Sequence, residues 1–188
     1  MSDSPQEARP TGALLIERMT EEELARAAKV DAVLPVLRDA AVVSDANAEF
    51  QMSHINTLSE AGLLGLVIPK EYGGMGGGLR DLCAATFAMG TACPSTALAY
   101  FFHCSSASRG LLALEALKAG LFDEQEAPQV KAFAEKVLTR MGREGKWLAN
   151  FASESNKTAK AAVTISTRAT RTEGGWLING VRSYSSAE

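Results

Sequence analysis

The hydrophobic period of this chain changes once, at Gly145, and that change limits what it can fold into more than any other feature. Upstream, apolar residues recur at three-to-four spacing, as helices with one buried face require. Downstream they alternate, which is the period of a strand. Trp147 to Ser153 reads as a strand. Val163, Ile165, Thr167 and Ala169 then alternate with Thr164, Ser166, Arg168 and Thr170, predicting a strand with one buried face. Glu173-Gly174-Gly175 supplies a tight turn and Trp176-Leu177-Ile178 returns, so a hairpin is expected. Helices first and strands second give an α+β class, an N-terminal all-α domain followed by the first strands of an antiparallel sheet.

Within the helical part, residues 1–18 mix Pro, Gly and charge and are expected to form a flexible tail. Thr20 with Glu23 three residues on predicts a capping box at the start of the first helix. Leu24, Ala27, Ala28, Leu34, Leu37 and Ala41 make one apolar face, and Pro35 is expected to kink or divide the helix. Phe50 to Leu58 continues as a short second helix ending near Gly62. From Leu79 the spacing of Leu82, Cys83, Thr86 and Phe87 predicts another apolar face. Pro94 suits a first helical position and opens a long segment, Ser95 to about Leu117, apolar on most sides and closed by Gly120. A more polar helix follows from about Glu124 to Met141, with Val130, Phe133, Ala134, Val137 and Leu138 on one face.

The 188 residues are 46% hydrophobic, enough to bury a substantial core. Nineteen basic and 22 acidic residues leave a net charge of -3 without a basic stripe, which argues against nucleic acid as a partner. No apolar run approaches the ~20 residues needed to cross a bilayer, and the first twelve residues lack a signal-peptide core, so a cytoplasmic location is expected. Cys83, Cys93 and Cys104 lie in helical segments without metal-ligand spacing, and core thiols are the expectation. No metal site is proposed from the two histidines, His54 and His103.

Five glycines in the six positions from Gly73 to Gly78 rule out regular structure there. A phosphate cradle needs a preceding strand and a Gly-Lys-Ser/Thr or Gly-x-x-Gly step into a helix, and neither is present, so an interhelical turn is expected. His103, following Tyr100-Phe101-Phe102, reads as a packed histidine with one satisfied nitrogen. Ser153, Glu154, Ser155 and Asn156 at one strand end, and Tyr184-Ser185-Ser186 at another, place hydroxyl and amide groups where a sheet edge meets a loop. Such donors beside an aromatic wall suit the edge of an isoalloxazine ring.

Val67-Ile68-Pro69-Lys70-Glu71-Tyr72-Gly73-Gly74 occurs in order with Ala92-Cys93-Pro94-Ser95-Thr96-Ala97, His103, the Ser-Glu strand end and Gly175-Trp176-Leu177-Ile178-Asn179-Gly180. From about residue 20 to 188 this order closely resembles the acyl-CoA dehydrogenase superfamily. The resemblance implies that residues 19–145 are its N-terminal helical domain and 146–188 the incomplete start of its β-barrel-like middle domain, the C-terminal helical bundle being absent. It implies FAD as cofactor, with Ala152, Ser153, Tyr184 and Ser186 against the flavin, and Leu98, Phe101 and Phe102 facing an acyl cavity.

The activity so implied is flavin-dependent α,β-desaturation of an acyl-CoA or related thioester, with electron-transfer flavoprotein or dioxygen as electron acceptor and a homo-oligomer as the assembly. No catalytic residue is assigned, because the family's glutamate base falls beyond Glu188, and the chain alone is expected to be inactive. The family's Thr-Glu-Pro and Gly-Ser-Asp read here as Ser153-Glu154-Ser155 and Thr158-Ala159-Lys160. That departure keeps a flavin monooxygenase of the same fold as the alternative. A non-catalytic interaction module, pairing through an open sheet along Ser183 to Glu188, is the other.

Overall fold

The structure, a computed structural model, describes residues 9–149 and 166–181. Six helices come first: α1 (Glu21–Asn47), α2 (Met52–Glu60), α3 (Leu79–Gly90), α4 (Pro94–Ser105), α5 (Ser108–Lys118) and α6 (Ala127–Gly142). Two strands follow, β1 (Arg168–Thr172) and β2 (Gly175–Asn179). The class is α+β, with the helical domain first.

Helix α1 starts as its sequence dictates. The Thr20 side chain accepts from the Glu23 amide, and the Glu23 carboxylate accepts from the Thr20 amide at 2.7 Å, satisfying two otherwise orphaned donors. Pro35 neither divides nor ends α1, which runs unbroken for 27 residues. Pro35 lies on the exposed side, while Val30, Val33 and Leu34 before it and Leu37 after it enter the same core. Burial on both sides of the proline offsets the roughly 3 kcal/mol cost of an interior proline. Thr11–Leu14, expected to lie in a mobile tail, forms a 3-10 turn with Gly12 and Ala13 buried, and the Thr11 amide donates to Asp31 at 2.8 Å.

The long segment expected from Ser95 to Leu117 is two helices. Ser105 and Ser106 both donate their hydroxyls to the Phe102 carbonyl, and Ser108 donates to Ser105. Such local side-chain bonds compete with the helical ladder, and the break falls at Ser106 and Ala107. Pro94 occupies the first turn of α4, and Gly120, at φ 69°, follows α5 in the left-handed region.

The buried stripe of α3 is Asp81, Leu82, Ala84, Ala85, Ala88 and Met89. Leu79, Cys83 and Phe87, expected on that stripe, are exposed, so Cys83 is not a core thiol, whereas Cys93 and Cys104 are. Arg26 of α1 explains the shift. Its guanidinium grips Asp81 through two of its three nitrogens, Nε at 2.6 Å and Nη2 at 3.2 Å, and turns that side of α3 inward. Asp81 also accepts the Gly78 amide at 2.9 Å, so one carboxylate caps α3 and docks it on α1.

Between α2 and α3 the chain crosses the domain without forming a long helix. Leu63, Leu64, Gly65, Leu66 and Ile68 are buried, the first three of them in a 3-10 turn. Gly65, Gly74 and Gly142 meet where this segment passes the end of α6. A Cβ on Gly74 would stand 2.2 Å from the Ile68 carbonyl oxygen, and one on Gly142 would stand 2.4 Å from that of Tyr72.

β1 and β2 pair antiparallel with Arg168 opposite Asn179 and Thr172 opposite Gly175, a two-residue turn at Glu173-Gly174 joining them. The expected buried face is not found there, since all ten strand residues are exposed among the described residues. A two-stranded hairpin makes no core of its own and needs a third layer to bury a face. Trp147 to Ala149 carry no regular structure, and the remainder of the first expected strand, with Val163 and Ile165 of the second, lies outside the described residues.

Gly142→Ala forces a Cβ into backbone and is expected to destabilise the domain by roughly 1–3 kcal/mol. Gly90→Ala, where no atom lies within 4 Å of the new methyl, is expected to be neutral or to stabilise by up to about 1 kcal/mol. Urea unfolding of the two variants beside the parent checks both signs.

Candidate functional site

Helix α4 carries most of the chemistry. Its first-turn proline fixes the start, and its inward side presents Thr96, Tyr100, His103 and Cys104, all buried. The Tyr100 hydroxyl donates to the Leu63 carbonyl at 2.7 Å. One turn on, His103 makes two hydrogen bonds. Nε2 lies 2.9 Å from the Leu64 carbonyl, which only accepts, so Nε2 carries the proton. Nδ1 then accepts the Leu148 amide at 3.0 Å. The ring also stacks on Trp147, with centroids 4.6 Å apart and planes within 7°. Sequence reasoning expected one satisfied nitrogen, and the structure satisfies both.

Burial pushes the His103 pKa down to about 4, against the upward pull of its two backbone bonds. Burial likewise lowers His54, raises Tyr100, and pushes the Cys104 thiol up to about 12. At neutral pH the interior of α4 is therefore uncharged.

A cleft of about 670 Å³ opens between the end of α1 and the start of α4, lined by Ala41, Val42, Phe50, Ser95 and Thr96 among others. Behind it Cys93 Sγ meets Thr96 Oγ1 at 3.2 Å, and Thr96 Oγ1 meets His54 Nδ1 at 2.7 Å. His54 Nε2 is buried without a partner. Forty-two residues separate His54 from Thr96, and no spacing rule would have joined them.

Leu98, Phe101 and Phe102 share one side of α4, with Phe101 and Phe102 edge to face at 5.6 Å. Leu98 is 59% exposed and Phe101 40%. They do not line the cleft; Leu98 and Phe101 turn outward and Phe102 is half-buried. Ala152, Ser153, Tyr184 and Ser186 lie outside the described residues.

The glycine loop offers no anion site. The Gly74 amide donates to Pro69, Met75 to Gly65, Gly76 to Ile68, Gly77 to Leu66 and Gly78 to Asp81, at 2.8 to 3.2 Å. Each donor that a phosphate would need is already spent on the chain itself. Among the described residues no three His, Cys, Asp or Glu side chains converge as metal ligands, and no helix is long and apolar enough to cross a membrane.

Residues 17–118 match the family described as acyl-CoA dehydrogenase, N-terminal domain. Isobutylamine N-hydroxylase of Streptomyces viridifaciens is 33% identical over 116 residues, covering 62% of this chain and 28% of that protein. A probable acyl-CoA dehydrogenase, YngJ of Bacillus subtilis (strain 168), is 41% identical over 56 residues, covering 30% of this chain and 15% of that protein. The chain therefore spans well under a third of the length of either curated relative. Among solved structures, KijD3 in complex with dTDP aligns with a TM-score of 0.66 at 28% identity, over 91% of this chain and 40% of that one. The nitrososynthase of Micromonospora carbonacea var. africana shares the fold, with a TM-score of 0.67 at 24% identity, over 86% of this chain and 38% of that one.

A neutral buried His103 sets the sign of an acid response. Its folded pKa, about 4, lies below the unfolded 6.5, so its contribution is fully present above pH 6.5 and is lost as pH falls toward 4. The loss amounts to roughly 3 kcal/mol. Glu23, held at about 2 by Arg80 and by the Thr20 amide, is protonated only at lower pH. Stability measured by urea unfolding is expected to fall between pH 6.5 and 4, and His103→Gln is expected to flatten that slope.

Proposed function

The chain belongs to the acyl-CoA dehydrogenase family, and from that premise we propose that it supplies the N-terminal helical part of a flavin-dependent oxidoreductase that oxygenates an amine nitrogen. The observation that carries this reading is the 116-residue match to isobutylamine N-hydroxylase, which spans twice the share of the chain that the dehydrogenase match does. The departures at Ser153-Glu154-Ser155 and Thr158-Ala159-Lys160 point the same way, because they remove the glycine and serine that the resemblance associates with cofactor phosphate and thioester.

When bound, flavin would supply the electrons that reduce dioxygen, one oxygen atom going to the amine nitrogen and the other leaving as water. Ser153 and Ser186 would donate hydroxyls to the ring edge, with the Ala152 backbone and the Tyr184 ring beside it. The amides of the glycine loop are spent internally and would hold no phosphate. Leu98, Phe101 and Phe102 would form an apolar wall once another element covers them, excluding water from the substrate. His103 and Cys104, neutral at pH 7, would neither give nor take a proton in the reaction.

Thioester desaturation is the second reading, favoured by 41% identity to the probable dehydrogenase over 56 residues. Electron-transfer flavoprotein would then be the acceptor. One experiment separates the two. The protein, expressed at full length with FAD, is given reduced flavin, dioxygen and a small aliphatic primary amine, and in parallel short acyl-CoA esters without dioxygen. We expect the hydroxylamine by mass spectrometry and no bleaching of oxidised flavin by the thioesters. Bleaching without amine oxidation would establish the second reading, and neither reaction would leave the domain as an interaction module.

A further inference from the structure

We propose that His103 is a positioning residue for the stretch that leads in sequence to the proposed flavin residues Ala152 and Ser153, fixing the Leu148 backbone and the Trp147 indole plane against α4. This rests on the flavin reading above. Three separate segments meet at its ring: the buried turn at Leu64, helix α4 itself, and the stretch Trp147-Leu148. The ring is 0% exposed, so neither bond competes with water.

The direction of the bonds matters. Leu64 offers only an acceptor and Leu148 only a donor, and a neutral imidazole with its proton on Nε2 answers both. A protonated ring would face the Leu148 amide donor to donor. The Trp147 indole lies flat on the imidazole and tilts against Phe50 at 6.2 Å, which leaves its plane little freedom. Trp147 to Ala149 belong to no helix or strand, so their position depends on such side-chain anchors rather than on a backbone ladder. Nearer α6 the Lys146 amide donates to the Arg140 carbonyl at 2.8 Å, and His103 ties the backbone again at Leu148.

Two substitutions separate positioning from packing. His103→Phe keeps a flat ring on Trp147 and removes both hydrogen bonds. His103→Gln keeps one donor and one acceptor on a single planar group. In the full-length protein with FAD, we expect His103→Phe to weaken flavin affinity about tenfold or more and to speed exchange of the Leu148 amide by a similar factor, with α3 amides unchanged. His103→Gln is expected to restore flavin affinity to within about threefold of the parent. Parent-like flavin affinity in His103→Phe, or unchanged exchange at Leu148, overturns the proposal while the flavin reading stands. A parent protein that retains no flavin sinks the flavin reading and this proposal with it. Should His103→Phe fail to fold, the imidazole nitrogen resonances of the parent decide, since a proton on Nδ1 contradicts the assigned bonds.

Discussion

A buried stretch of backbone that is not a long helix is the constraint on which this domain depends. From Leu63 to Ile68 the chain passes through the interior in short turns, and every polar group it buries needs a partner. Four carbonyls find theirs in distant places. Leu63 accepts from Tyr100, Leu64 from His103, Gly65 from the amides of Ile68 and Met75, and Leu66 from Gly77. The glycine loop is thus consumed in satisfying the crossing segment, and the close approach of Gly65, Gly74 and Gly142 follows from the same threading. Helix α4 is held by the crossing segment as much as it holds it, since its two buried polar rings point at consecutive carbonyls.

Features governed by neighbours in sequence were legible before the fold was known. Thr20 and Glu23 cap α1, Pro94 opens α4, and Gly120 follows α5, because each acts through groups within a turn of itself. Features governed by distant partners were not. Pro35 reads as a breaker by local rules, yet core burial on both sides of it carries α1 through. The apolar spacing of α3 selects Leu79 and Phe87, but the pull of Arg26 on Asp81 rotates a row of small residues inward instead. Alanines give little hydrophobic signal one by one, so a stripe built from Ala84, Ala85 and Ala88 is quieter in sequence than the leucine and phenylalanine opposite.

The candidate site divides the same way. That Leu98, Phe101 and Phe102 share a side of α4 follows from spacing, whereas which side faces the core depends on Tyr100 and His103 reaching the carbonyls of Leu63 and Leu64. Those bonds commit α4 to one orientation and leave Leu98 and Phe101 outward among the described residues. The contact between His54 and Thr96 was invisible for a simpler reason, since it joins α2 to the first turn of α4 across an intervening helix.

The inner side of α4 is electrically quiet, and that bears on why one scaffold matches proteins named for different reactions. His103 is neutral at pH 7 with both nitrogens engaged, and Cys104 stays protonated. A scaffold whose buried groups hold fixed protonation states supplies geometry without committing to a proton path. Desaturation needs a base at the α-carbon, whereas N-oxygenation needs a dry, apolar pocket and a nitrogen close to the oxygen donor. Both can be served by the same α4 and the same anchored Leu148 if the distinguishing groups come from elsewhere in the protein. Selection between the two chemistries then falls on the residues that meet the substrate, and the helical domain is free to be shared by a hydroxylase and a dehydrogenase.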